Sequence, residues 1–214
     1  MTFLKILACA LLSYLLGSLN FGIIITKLFT GLDLRTQGSG NAGSTNAYRV
    51  LGLGPTVLVV LGDILKGVLA VLFSRWLMGA DGQALSMCFV ILGHVHPVFY
   101  DFKGGKGVLT TAAMVGVYDW RLLALVLLFL VIVIITRYVS LGSVIAVGLI
   151  PVGVWLLHPE DTLFIFCTLF VSTWIVILHT DNLIRLKNGT ERRFRSHKAD
   201  TEAIAPPEEG SEKH

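Results

Sequence analysis

Ile6-Leu-Ala-Cys-Ala-Leu-Leu-Ser-Tyr-Leu-Leu-Gly-Ser-Leu-Asn-Phe-Gly-Ile-Ile-Ile-Thr26 runs for 21 residues without a charge. A helix crossing a bilayer needs about 20 consecutive, mostly apolar residues, so this stretch reads as a membrane span. It is too long for the apolar part of a signal peptide. It also ends in Asn20, Phe21, Ile23, Ile24 and Ile25 rather than in small residues, so cleavage is not expected. The rest of the chain agrees: 54% of its 214 residues are hydrophobic and only 14% charged, far from a soluble globular domain. A net charge of +3 is too small to argue for nucleic acid as a partner.

Seven apolar segments follow one another, at roughly 4–27, 54–76, 83–100, 107–118, 122–136, 139–157 and 162–179. The expected fold is therefore an all-α integral membrane protein of seven transmembrane helices. The fourth segment has about twelve residues, or ~18 Å of helix against a ~30 Å hydrocarbon core. It spans only if its flanking loop dips into the membrane, where irregular backbone must be buried in protein or line a polar cavity. Alternate connections place fourteen of the seventeen lysines and arginines on one side, leaving Lys5, Arg75 and Arg121 on the other. That bias predicts an outside N-terminus, a cytoplasmic C-terminus and residence in the inner (plasma) membrane. Residues 1–189 read as one membrane domain, and 190–214 as a charged tail expected to be disordered. The basic start of that tail, from Arg192 to Arg195, is expected to meet lipid headgroups. Cys9, Cys88 and Cys167 are isolated in apolar segments and read as small apolar fillers.

The unusual polar sequence all falls on the cytoplasmic side. Gly38-Ser-Gly-Asn-Ala-Gly-Ser-Thr-Asn46, closed by Arg49, offers backbone N–H groups, hydroxyls and amides to an anion, with a fixed positive charge beside them. Thr45 and Arg49 share a face if the segment turns helical. Phe102-Lys-Gly-Gly-Lys-Gly-Val108 is a second glycine-rich basic loop. It is not a nucleotide P-loop, since Gly107 rather than Ser or Thr follows Lys106. Lys106 sits where the fourth helix should begin, and helix-end N–H groups can receive an anion.

The remaining polar residues carry alternatives. Asp63 and Lys66, three apart inside a span, suit a structural ion pair or a substrate contact. Arg137 is an anchor or a phosphate contact; Ser143 is a site hydroxyl or bonds its own helix. His179 ends the seventh segment, with Asn182 and Arg185 at three-residue steps, and either accepts a proton or serves structure. His96 and Asp101 satisfy a His-x4-Asp acyltransferase pattern that two fixed positions readily produce by chance. His94 is expected to be packed or to support the site by hydrogen bonding.

Taken in order, Gly38-Ser-Gly-Asn-Ala-Gly-Ser-Thr-Asn46 with Arg49, Gly62-Asp-Ile-Leu-Lys-Gly67, Gly93-His with Pro97 and Phe102-Lys-Gly-Gly-Lys-Gly107, Arg137-Tyr-Val-Ser140, and His179 with Asn182-Leu-Ile-Arg185 and Gly189-Thr-Glu191 resemble the bacterial membrane acyl-phosphate:glycerol-3-phosphate acyltransferases. The resemblance spans residues from about Gly17 to Glu191. It implies a seven-helix enzyme without metal or cofactor that moves an acyl chain from acyl phosphate to sn-glycerol 3-phosphate. The products would be 1-acylglycerol 3-phosphate (lysophosphatidate) and inorganic phosphate, in the opening step of phospholipid biosynthesis. By matching positions, His179, Lys106 and Ser143 would be catalytic. Ser39, Gly40, Asn41, Thr45, Asn46, Arg49, Gly104, Gly105 and Asn182 would bind substrate. Besides membrane lipid, a soluble acyl-phosphate-producing enzyme is a conceivable partner. Two positions depart from the family: Ser44 stands where Ala is usual and Leu178 where Arg is common.

A transporter of an organic phosphate is the rival reading. It requires polar residues leading to the outer face, and the outer connections around Gly79, Asp119 and His158 are short and carry no such motif.

Overall fold

A computed structural model describes residues 2–194, and among these the chain is entirely helical, with no strand. The first apolar run forms α1 (Thr2–Ser18) and α2 (Phe21–Thr30), interrupted where the Asn20 side chain caps α2 by accepting from the Ile23 N–H at 3.2 Å. A 3₁₀ turn (Leu34–Thr36) and the short α3 (Ser44–Leu51) follow. Next come α4 (Leu53–Val95), α5 (Val108–Tyr118) and a second 3₁₀ turn (Trp120–Leu123). The chain continues through α6 (Ala124–Thr136), α7 (Val139–Leu157), α8 (Thr162–Ile177) and α9 (Thr180–Lys187).

The second and third apolar segments are two helical arms that meet at Gly79 (φ 70°, ψ −149°), numbered together as α4. Only glycine takes such a conformation without strain. In a straight helix, Lys66 and His94 would lie about 42 Å apart at 1.5 Å per residue. Their side chains instead meet at 2.7 Å, so α4 folds back on itself at Gly79. The third segment's helix ends at Val95 rather than near 100, because His96-Pro97 turns the chain into the glycine loop. Packing of α1 on the returning half is close. A Cβ on Gly17 would stand 2.2 Å from the Val90 carbonyl oxygen, and one on Gly93 2.2 Å from that of Tyr14.

Three helical runs are long and apolar enough to cross a bilayer: Phe3–Thr30, Leu53–Val95 and Val139–Leu157. The α8–α9 pair, bent by 51°, makes a fourth if taken as one broken span. The interior is a cluster including Met87, Ile91, Met114, Phe164 and Ile175, all fully buried. The exterior is equally apolar: Ile134 and Ile135 on α6 are each 76% exposed, a face suited to lipid rather than water. The three cysteines are free.

One expectation holds here and one changes. Asp63 and Lys66, three apart inside a span, form the structural ion pair, with Lys66 buried and its ammonium 2.7 Å from Asp63 Oδ1 and 2.9 Å from the Leu19 carbonyl. The expected boundary at 189/190 does not mark an unstructured start. Phe194 stacks on Tyr48 at 5.3 Å between ring centroids, and its N–H donates to the Arg137 carbonyl at 2.7 Å. The remainder of the expected tail, 195–214, lies outside the described residues.

Candidate active site

The 38–46 loop is held from within by one side chain. Asn46, buried at the start of α3, accepts the Ser39 N–H on Oδ1 at 2.8 Å. Its amide nitrogen donates to the carbonyls of Leu34 (3.2 Å), Gln37 (2.9 Å) and Asn41 (2.9 Å). Asn41 in turn accepts the Gly43 N–H on its Oδ1 at 2.9 Å. The helix that follows brings Thr45 and Arg49 to the same cavity wall, as their spacing predicts.

Arg35 ties this loop to the second one. Its guanidinium grips Asp33 through Nε and Nη2 and donates from Nη1 to the Tyr100 carbonyl at 2.6 Å. The second loop folds under the end of α4: the Gly104 N–H donates to the Val95 carbonyl at 2.9 Å and the Gly105 N–H to that of His94 at 3.1 Å. Two N–H groups of this irregular backbone are thus satisfied by protein carbonyls. A Cβ on Gly105 would meet His94 Nε2 at 2.4 Å, so glycine there is a matter of space. Gly107 (φ 80°) then starts α5 directly after Lys106.

The third component is the break between α8 and α9. His179 is buried, and its Nδ1 lies 2.8 Å from the Ile175 carbonyl oxygen. A carbonyl only accepts, so Nδ1 carries the hydrogen and Nε2 of the neutral ring offers a lone pair. Asn182, one turn on, accepts from the Lys106 ammonium on Oδ1 and donates from Nδ2 to Glu191 Oε1 at 2.7 Å. Glu191 also accepts from Ser140 Oγ at 2.7 Å and from Arg185 Nε at 2.8 Å. Burial pushes its carboxyl up, but these hydrogen bonds outweigh that and hold it below the ordinary glutamate value. Burial, reinforced by the nearby Arg185 charge, pulls Lys106 down to about 8.

These parts enclose a cavity of about 660 Å³. Its polar wall holds Ser39, Gly40, Asn41, Thr45, Asn46, Arg49, Gly104, Lys106, Ser143, His179 and Asn182; of the expected residues, only Gly105 is not in the lining. The other wall is apolar, built from Val108, Ala112 and Val115 of α5, Leu125, Val126 and Phe129 of α6, and Ala146, Val147 and Ile150 of α7, with Leu122 from the 3₁₀ turn. Asn46 lines the cavity but directs its amide into the loop. Ser143 likewise donates its hydroxyl hydrogen to the Val139 carbonyl at 2.9 Å, leaving oxygen lone pairs for a ligand. His96 and Asp101 lie outside the lining. Asp101 is 86% exposed and 3.7 Å from Arg35, and His96 Nδ1 is 3.1 Å from the Phe102 carbonyl.

Asp63 and His94, which the sequence offered as a substrate contact and a supporting residue among other readings, also line the cavity, as do Ser140, Arg185, Glu191 and Arg192, to which sequence reasoning gave no role in the site. Arg192, expected at lipid headgroups, faces the cavity instead. The usable signal was Gly189, a left-handed cap (φ 69°) that turns the chain back after α9 and returns Glu191 to the site. Among the described residues no group of His, Cys, Asp and Glu is placed to hold a metal ion.

A family model described as glycerol-3-phosphate acyltransferase matches residues 7–189. The chain is 38% identical over 194 residues to the glycerol-3-phosphate acyltransferase of Carboxydothermus hydrogenoformans, covering 90% of this chain and 98% of that one. It is 41% identical over 196 residues to that of Clostridioides difficile, covering 88% and 95%. Among solved structures it resembles PlsY (YgiH), described as an integral membrane glycerol 3-phosphate acyltransferase. The glycerol 3-phosphate form matches with a TM-score of 0.85 and 36% identity over 91% of this chain and 98% of that one. The lysophosphatidic acid form matches with a TM-score of 0.82 and 35% identity over 89% and 96%.

Proposed function

Because the chain belongs to the glycerol-3-phosphate acyltransferase family, we propose that it transfers an acyl chain from acyl phosphate to sn-glycerol 3-phosphate, releasing lysophosphatidate and inorganic phosphate. The observation that carries this reading is the cavity itself. One space has a wall of glycine-loop amides, hydroxyls and basic side chains and another of aliphatic side chains, which suits two phosphates beside one acyl tail.

Acyl phosphate is a mixed anhydride and needs no enzyme nucleophile. The glycerol hydroxyl oxygen attacks the acyl carbonyl carbon, forming the new ester C–O bond. The bond between that carbon and the bridging oxygen breaks, and phosphate leaves with the electron pair. The enzyme must hold both reactants together, receive the charge developing on oxygen and accept one proton. In this reading Lys106 and the N–H groups opening α5 receive the donor phosphate, while Arg49, Ser39 and Thr45 hold glycerol 3-phosphate. Nε2 of His179 faces the task of accepting the hydroxyl proton, and Asn182, steadied by Glu191, sets the position of Lys106.

The same reading puts the protein in the cell membrane with seven crossings, N-terminus outside, counting the two arms of α4 and the short α5 separately. It is supported by the polar loops gathering on one cavity and by the lysine and arginine bias. Purified protein given glycerol 3-phosphate with palmitoyl phosphate, palmitoyl-CoA or palmitoyl-carrier protein tests the donor. Turnover with palmitoyl phosphate alone is expected; efficient use of either thioester without the phosphate sinks the proposal.

A further inference from the structure

One buried ring in the cavity wall has no part in the chemistry above. His94 is 2% exposed at the end of the returning arm of α4 and lines the cavity. Its tautomer is set by Lys66, whose ammonium is ion-paired with Asp63 Oδ1 at 2.7 Å and has no lone pair to offer a ring N–H. It donates to the Leu19 carbonyl at 2.9 Å and faces His94 Nδ1 at 2.7 Å. Nδ1 therefore gives its lone pair to Lys66, and the ring hydrogen is on Nε2. Among the described residues, no hydrogen-bond acceptor reaches Nε2. That atom packs against Gly105, and the backbone carbonyl of His94 holds the Gly105 N–H at 3.1 Å. A neutral N–H donor with a fixed tautomer thus sits beside the residues that deliver Lys106.

Resting on the acyltransferase reading, we propose that His94 is a further substrate-contacting residue, its Nε2–H donating to a phosphoryl oxygen bound at the 104–106 loop. The Asp63–Lys66 pair is then a positioning device. It stops the ring from taking the tautomer that would turn a lone pair toward the phosphate. A neutral donor adds a directed hydrogen bond without adding a proton that titrates during turnover, so it complements the charged Lys106.

The test uses ¹⁵N-histidine-labelled whole protein in detergent micelles, with the His94 signals assigned against His94→Gln. Wild type should show a neutral ring protonated on Nε2. Its ¹⁵N and ¹H shifts should move when palmitoyl phosphate or glycerol 3-phosphate is added, and the substrate that moves them identifies which phosphate is held. Lys66→Met should mix the two tautomers. In steady state, His94→Phe should lose roughly 10- to 100-fold in kcat/KM, the worth of one hydrogen bond to a charged group. His94→Gln, which keeps an N–H near the same place, should recover part of it. A wild-type enzyme that turns over both substrates while the His94 ring shifts respond to neither, or that shows the hydrogen on Nδ1, overturns this inference alone. Absence of acyl transfer by wild type would instead overturn the functional reading. The ring measurement is made on wild type, so a His94→Phe protein that failed to fold would leave it decisive.

Discussion

Replacing Asn46 by Ala removes the one side chain that stitches the first loop together. Three carbonyls lose a donor and the Ser39 N–H loses its acceptor. Each such hydrogen bond is worth about 0.5–1.5 kcal/mol net. The amide has two hydrogens shared among the three carbonyls, so with the Ser39 bond about 3 kcal/mol is a fair sum, or roughly a hundredfold loss of the ordered loop. The effect should be local, since α3 and the loop are not in the main buried cluster. Kinetics at matched amounts of folded protein should show kcat/KM for glycerol 3-phosphate down about 10²-fold, with the thermal midpoint little changed. Asn46→Asp should not rescue it: the carboxylate keeps an acceptor for Ser39 but faces three carbonyl oxygens without a hydrogen to give. Activity of Asn46→Ala within about threefold of wild type would refute the loop-holding argument.

Arg49→Lys should lose most activity, because a point charge does not replace a planar two-pronged donor, whereas Lys187→Arg on the outer side of α9 should be nearly silent; equal effects in a steady-state assay would remove Arg49 from the phosphate site. Lys106, held near 8, is charged below that pH and neutral above it, so kcat/KM should fall as pH rises through about 8. Lys106→Arg should flatten that limb within whatever activity it retains, and an unchanged profile would show the limb belongs to another group. His179→Ala should cost roughly 10²–10⁴ in kcat, the range of general acid–base help. A His179→Gln enzyme at near wild-type rate would give the base role to the substrate's own phosphate. His96→Ala and Asp101→Ala should each keep most activity, as both lie outside the cavity lining; joint essentiality would move the chemistry to them.

Hydrophobic patterning carried the all-helical, membrane-protein class, because a membrane span advertises itself by length and lack of charge. What it could not show was how segments join. The short connection at Gly79 was legible, but not that one glycine of positive φ turns one helix directly into the next and brings Lys66 against His94. The Asp63–Lys66 ion pair was legible from its three-residue spacing, but the further partners of Lys66, His94 and Leu19, are 28 and 47 residues away and no local pattern announces them. The loops were legible as polar segments that would share a site because glycines, hydroxyls and basic residues cluster there in sequence, and both line the cavity. The division of labour inside them was not. Asn46 and Asn41 are alike on paper, but only the geometry shows that Asn46 uses both ends of its amide on the loop whereas Asn41 gives it only its oxygen. Glu191 was quoted within the Gly189-Thr-Glu191 motif but given no role, because it follows the last apolar segment, where charge reads as solvent exposure. Only the left-handed cap at Gly189 returns it to Asn182 and Arg185.

Direct transfer in one cavity is tested most sharply by counting phosphate. Protein reconstituted in lipid nanodiscs is mixed with ³²P-labelled palmitoyl phosphate, first alone and then with glycerol 3-phosphate, and released phosphate is compared with lysophosphatidate formed. The account predicts negligible release without the acceptor, no acylated protein by intact mass, and one phosphate per lysophosphatidate once acceptor is present. A burst of phosphate with a stoichiometric acyl-enzyme before acceptor is added would contradict it.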